Sequence, residues 1–339
     1  NYILALTSAL KTAEEQNTIT PEMPIAACFV LNPDFLGDIQ QNRGADPDFT
    51  VPFRKPMQDG IDYYVKKGVI SQITIPSELP ETVRGYIQAV NWLTRTIGGD
   101  KIVFGWQSNV WATGVSEWVY DETKDPFEVG RQTAQFAKDC GITLEGPYGV
   151  HFHAVDRYER DDLSNDALVT KYCYGPQEWD RYFRYCEAFP DVLKMPLMVW
   201  QLPGSHIGTV NDDVLDDFPN KQFFGTCGSY LFGDEDIKKD ITKIHPKFLD
   251  YKFTINFAPR YQYFRDLFAK PFDISQPRYF DFPKRGIFSI LLGGGKTVGL
   301  VSPTQDNEDR ASWTRKKTAA YADNRVYFDP TMSSSKKTK

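Results

Sequence analysis

Short apolar runs alternating with amphipathic stretches constrain this chain more than any other feature. The runs 25-IAACFVL-31, 101-KIVFGWQ-107, 149-GVHFHAVD-156, 196-PLMVWQL-202, 222-QFFGTC-227 and 286-GIFSILLGG-294 read as strands. Two weaker ones are 69-VISQITI-75 and 252-KFTINF-257. Helical patterns lie between them. In 176-PQEWDRYFRYCEAF-189, Pro176 suits the first helical position, and Trp179, Tyr182, Phe183 and Cys186 share one face. The stretch 80-PETVRGYIQAVNWLTRTI-97 opens on proline and acid and stops at Gly98-Gly99, and 126-PFEVGRQTAQFAKDCG-141 ends at Gly141. Alternation of this kind predicts a parallel sheet with crossover helices. Seven or eight strands over roughly 300 residues fit an α/β fold of the (β/α)8 TIM-like barrel type, with one strand missing or distorted. An open doubly wound parallel sheet is the alternative. There is no internal repeat and no long Pro/Gly/Ser linker, so residues 1–330 are expected to form a single barrel domain. Residues 331–339, ending in 335-SKKTK-339, read as a disordered basic tail.

Charge and composition remove several classes of function. A net charge of −6 argues against nucleic acid as a partner, because nucleic-acid binding leaves a basic footprint. No apolar run is long enough to span a membrane. Five cysteines with no C-x-x-C indicate neither a zinc ribbon nor a dense disulfide framework, although an oxidising compartment would allow Cys173 and Cys186 to pair. No signal peptide is visible, and the helix-like opening 2-YILALTSALKTAEEQ-16 points to a leader or first strand upstream of Asn1. The 7 Trp, 18 Tyr and 24 Phe supply more rings than most cores use, and flat rings pack well on the apolar faces of pyranoses. Any single ring still reads first as core volume.

Polar groups recur where strands end. The first run leads into 32-NPDFLGDIQQ-41, the next into Gln107, Asn109 and Trp111, the third into Asp156 and Arg157, and the fourth into Gln201 and 203-PGSH-206. In a barrel, the carboxyl ends of different strands converge on one pocket. Two carboxylates, Asp34 and Asp156, would then meet amides and indoles, which is the inventory of a glycosidase. Trp106, Trp111 and Trp200 are candidate stacking surfaces. Gln107, Asn109, Arg157, Gln201 and His206 are candidate ligands for hydroxyls. Asp34 also suits a helix cap ahead of 35-FLGDIQQ-41. Asp156 also suits an ion pair with Arg157 or Arg160.

Other motifs carry less. His151 and His153 form an H-x-H whose side chains share a strand face, a spacing used for metals, but Asp156 has the opposite parity and both histidines lie within the strand. 293-GGGKT-297 fails the phosphate-loop pattern, and no G-x-S-x-G is present. No cofactor is indicated.

The blocks 29-FVLNPDFLGDIQQ-41, 104-FGWQSNVWATGVSEWV-119, 152-FHAVDRYERDD-162, 198-MVWQLPGSHIG-208 and 225-GTCGSYLFGD-234 resemble the strand-end segments of secreted bacterial glycoside-hydrolase-like barrel proteins. The likeness runs in order from about residue 24 to about residue 300. Asn32-Pro33-Asp34-Phe35-Leu36 is also similar to a Glu-Pro-Asp-Ser-Leu segment of family 6 cellulases, with Asn32 standing in place of the Glu. The resemblance implies a barrel, a carbohydrate substrate and secretion. The expected function is therefore hydrolysis of a polysaccharide or oligosaccharide. The alternatives are a non-catalytic glycan-binding or structural protein, and a metal-dependent hydrolase using His151 and His153. Sugar, linkage, stereochemistry and oligomeric state stay open.

Overall fold

The computed structural model describes residues 1–114, 116–157, 173–212, 224–253, 261–293 and 312–328. The chain divides into two compact units: Asn1–Gly114, Gln132–Ala154 and Asp191–Met195 in the first, and Val115–Arg131, Val155–Pro190 and Pro196–Lys339 in the second. It is mixed α/β, with a parallel sheet in the order β1-β2-β3-β4-β5. The strands are β1 (Ala27–Leu31), β2 (Ile102–Asn109), β3 (Phe152–Asp156), β4 (Leu197–Leu202) and β5 (Ile287–Leu292). β3 begins in the first unit and ends in the second. Among the described residues there are five strands, so an eight-stranded barrel is not completed there.

The first unit holds α1 (Tyr2–Ile19), α2 (Phe35–Asn42), α3 (Arg54–Lys66) and α4 (Val83–Gly98). α4 starts where Thr82 accepts a hydrogen bond from the Gly85 N–H, and the chain leaves it through Gly99 at φ 53°. Its buried side, which includes Ala89 and Leu93, packs with Ile3, Phe53, Ile61, Ile75 and Leu79. This explains the weak strand expected at 69–75. Ile75 is buried in that core, yet the segment pairs with no strand. β1 and β2 pair in parallel with Leu31 opposite Trp106. β2 is buried along nearly its whole length, as a strand covered on both faces must be.

Gly105 lets β2 approach its neighbour. A Cβ there would stand 2.2 Å from the Phe152 carbonyl oxygen and 2.8 Å from the Phe152 ring. Gly105→Ala is therefore expected to cost about 1–3 kcal/mol through overpacking against backbone that cannot move aside. A thermal midpoint equal to the wild type's would refute this reading of the contact.

The second unit contains β4, β5, α7 (Cys227–Phe232), α8 (Pro246–Leu249) and α9 (Ser312–Asp323). α5 (Pro126–Asp139) and α6 (Pro176–Leu193) each run between the units in sequence. Trp179, Tyr182, Phe183 and Cys186 of α6 are all wholly buried. The Phe183 ring stacks on Tyr230 at 5.8 Å and meets Phe282 at 4.7 Å. The Trp179 indole N–H donates to Thr226 Oγ1 at 2.8 Å.

Two of the expected strands differ from the structure. Residues 224–226 are not strand, and Cys227 begins α7, so the strand expected at 222–227 does not form over them. Lys252 makes one isolated antiparallel bridge to Tyr263, while 254–257 lie outside the described residues. The tail 331–339, the 294–297 part of the glycine-rich motif and 159-ERDD-162 also lie outside them. No disulfide joins Cys173 to Cys186, both of which are buried. Among the described residues, no helix is long and apolar enough to cross a membrane.

Candidate functional site

The first unit builds a site from the carboxyl ends of β1 and β2. β1 ends at Leu31, opposite Trp106, and the turn that follows carries Asp34 toward the last residues of β2. Asn109 Nδ2 donates to Asp34 Oδ1 at 2.7 Å, and Gln107 Nε2 approaches the same oxygen at 3.4 Å. Asn109 and Gln107 are buried, whereas Asp34 is exposed. Two interior amides thus grip one oxygen of a carboxylate that faces solvent. Among the described residues, Oδ2 receives no hydrogen bond. Gln107 Oε1 is buried with no partner among them.

The backbone reaches this arrangement under strain. Asn32 has φ 39° and Asp34 φ 69°, a region that L-residues seldom occupy. Asp34 stands at the N-cap of α2, but its side chain makes no capping bond. The carboxylate is committed to β2's amides and not to the helix, so the cap expected from sequence is a cap in position only. Asn32 Nδ2 donates to the Tyr86 hydroxyl at 2.8 Å, which anchors the other strained residue. Gly37, on the next turn, has to lack a side chain: a Cβ there would lie 2.5 Å from Asn109 Oδ1 and 2.7 Å from Trp111 Cη2. Trp111 is half-buried, and its carbonyl accepts from Gln41 Nε2 at 3.3 Å.

These contacts revise several expected roles. Gln107 and Asn109, expected to hold sugar hydroxyls, hold Asp34 instead. Trp106, expected as a stacking surface, is fully buried, and its indole N–H donates to Asn91 Oδ1 at 2.8 Å. It is core, with neither face open. No spacing in the sequence announces this contact, because it depends on the positive-φ turn at Asn32–Asp34 that takes the chain out of β1.

The histidine pair is also in the first unit. His151 immediately precedes β3, and its Nδ1 accepts the Phe104 N–H at 3.2 Å. His153 is wholly buried, with Nε2 2.9 Å from Ser108 Oγ, and burial pushes its pKa down to about 3. A neutral imidazole walled into the core serves packing. Among the described residues, no group of three or more His, Cys, Asp or Glu is placed to hold a metal ion.

The remaining expected site residues belong to the second unit. Asp156 ends β3 and is 3% exposed. Arg157 follows it and is wholly buried, its guanidinium carbon 4.4 Å from the Tyr174 ring centre and 4.9 Å from that of Trp179. A cation enclosed by two rings in this way is fixed in place, not open to bulk solvent. The Arg157 N–H donates to the Trp200 carbonyl at 3.3 Å. Gln201 sits at a register shift in the β4–β5 pairing with φ 54°, the mark of a bulge that re-aims a side chain at a strand end. Trp200, Gln201 and His206 are each half-buried. His206 Nδ1 lies 2.9 Å from the Ile207 carbonyl, and its ring stacks on Trp313 at 4.8 Å. Facing a carbonyl, Nδ1 carries the proton, which leaves Nε2 as the acceptor. Burial lowers the His206 pKa and favours that neutral form.

Of the six non-glycine residues with positive φ among those described, Asn32, Asp34 and Gln201 stand at the carboxyl ends of β1 and β4. No family model, curated protein or solved structure matches the chain.

Proposed function

We propose that this chain is a glycoside hydrolase in which Asp34 is a reacting carboxylate. The observation that carries this reading is the clamp on Asp34: an exposed residue with one carboxylate oxygen gripped by buried amides, on a strained turn at a strand's carboxyl end. Cleaving a glycosidic bond takes one carboxylic acid to protonate the leaving oxygen, and one carboxylate to activate water or attack the sugar. A carboxylate on an exposed residue, held through one oxygen and with the other taking no hydrogen bond among the described residues, suits the second role. Asp156, at the end of β3, is the other carboxylate that the sequence singles out, and its variant tests that assignment on its own. The same reading takes the parallel sheet as part of a barrel, because barrel enzymes set their chemistry at the carboxyl ends of strands. Secretion belongs to the same proposal.

The test is release of reducing sugar from a panel of polysaccharides and oligosaccharides by wild type and by Asp156→Asn. Turnover by wild type and its collapse in the variant are expected. Saccharide binding without turnover in wild type would replace this reading with a non-catalytic glycan-binding protein. Activity that chelators abolish would replace it with a metal-dependent hydrolase.

A further inference from the structure

The turn that carries Asp34 is short, and one side chain holds both of its ends. Residues 32–35 close through the Phe35 N–H, which donates to the Asn32 carbonyl at 3.2 Å. Asn32 Nδ2 donates to the Tyr86 hydroxyl at 2.8 Å, and the Phe35 and Tyr86 ring centres lie 5.1 Å apart. Such a turn needs support. Asn32 and Asp34 both have positive φ, and strained backbone persists only where its surroundings over-determine it. Pro33 stands between them with its φ fixed by the ring, so a shift at Asn32 is passed on to Asp34 and not absorbed.

Tyr86 is itself tied to the strand that grips the carboxylate. Its ring meets Phe53 at 6.1 Å and Trp106, edge to face, at 6.4 Å. Phe35 reaches Trp106 as well, at 6.1 Å. Further along α4, Asn91 Oδ1 accepts the Trp106 indole N–H at 2.8 Å. Trp106 lies in β2, directly ahead of Gln107 and close to Asn109. The contacts therefore form a closed circuit. It runs from Asp34 through Asn32 and Phe35 to Tyr86, along α4 to Trp106, and along β2 back to the amides on Asp34 Oδ1. We infer that Tyr86 is a positioning residue for Asp34, whose hydroxyl fastens the strained turn so that the carboxylate stays seated on Asn109. The seating follows from these contacts alone, and its consequence for turnover rests on the glycosidase reading.

Two substitutions cut the same bond from opposite ends. Tyr86→Phe keeps the ring and its three aromatic neighbours but removes the hydroxyl. Asn32→Gly tolerates the positive φ and removes the amide. The experiment compares wild type, both single variants and the double variant by two readouts. The first needs no substrate. In protein labelled at asparagine, NMR follows hydrogen exchange of the Asn109 side-chain amide, with Asn109→Ala to assign its signal. The Asn91 side-chain amide, which donates to the Tyr148 carbonyl at 2.8 Å, reports on the surrounding core. The second readout is kcat and KM on a saccharide that wild type cleaves. Exchange at Asn109 should quicken about threefold or more in each single variant, as the loss of one ordinary hydrogen bond allows. It should quicken no further in the double variant, because both substitutions remove one interaction. Exchange at Asn91 should stay as in wild type, and kcat should fall about 3–10-fold with KM unchanged. Unchanged exchange at Asn109 in both single variants would overturn the inference, whatever the kinetics. Exchange quickened at Asn91 and Asn109 alike would also overturn it, since the hydroxyl would then only stabilise the fold. So would wild-type hydrolysis with kcat unchanged in both variants. Exchange quickened at Asn109 alone, with no hydrolysis by wild type, would uphold the seating of Asp34 and remove the glycosidase.

Discussion

Asp34→Asn is expected to lower kcat on a cleaved saccharide about 10²–10⁴-fold while KM stays near its wild-type value. At 1.36 kcal/mol per factor of ten, this is a transition-state loss of about 3–5 kcal/mol. The substitution keeps the shape of the side chain. Its amide oxygen can still accept the Asn109 N–H that now reaches Oδ1 at 2.7 Å. What it removes is the negative charge and the second, basic carboxylate oxygen. Asn109→Ala separates positioning from chemistry. It leaves the carboxylate in place but removes the shorter of the two amide contacts, so Asp34 can swing away from its set angle. Here kcat should fall by roughly 10–10²-fold, as expected for a misplaced reacting group. If Asp34→Asn retained more than a third of wild-type turnover, Asp34 would hold no reacting role.

The second large effect lies in the core. His153 has its pKa pushed down to about 3 by burial, while an unfolded chain titrates near 6.5. Above about pH 6.5 the ring is neutral in both states and contributes no pH dependence. Below that value the unfolded chain takes up a proton that the folded chain refuses, so stability falls with falling pH until about pH 3. At 1.36 kcal/mol per unit, the loss between pH 7 and pH 4 is about 3 kcal/mol. Urea unfolding of wild type and His153→Asn at both pH values measures it. The variant cannot take up that proton, so its loss between the two pH values should be smaller than the wild type's by most of this amount. Equal losses in the two proteins would show that His153 is not the group responsible.

Much of the architecture was readable because periodicity reports burial. The α6 pattern of Trp179, Tyr182, Phe183 and Cys186 is wholly buried, and β1, β3, β4 and β5 fall within the apolar runs that suggested them, while β2 runs two residues past its run to Asn109. The misreadings have physical causes. The segment 69–75 is apolar because Ile75 plugs a core between helices, and an extended plug has the same composition as a strand. α3 went unread because its face is mixed with polar residues and it carries Pro56 near its start, where proline is tolerated. In the site, Asp34 could be singled out because polar residues after an apolar run are conspicuous. The use made of Gln107 and Asn109 could not, because the hydrogen bond from Asn109 to Asp34 spans 75 residues and depends on strand register. Arg157 was misjudged for a similar reason. A charged residue at a strand end looks open to solvent until Tyr174 and Trp179 close over it.

The strained turn at the end of β1 has a consequence for directed evolution. Positions 32 and 34 both require positive φ, so a library randomised there and screened only for folded protein should be confined largely to Gly, Asn and Asp. Position 32 already carries one of those three, and position 34 another. A screen for turnover would then act on a choice the backbone had narrowed, and at position 34 only one of the three residues carries a carboxylate. On the glycosidase reading, the route between a binding protein and an enzyme is thus a single step among residues that the turn tolerates.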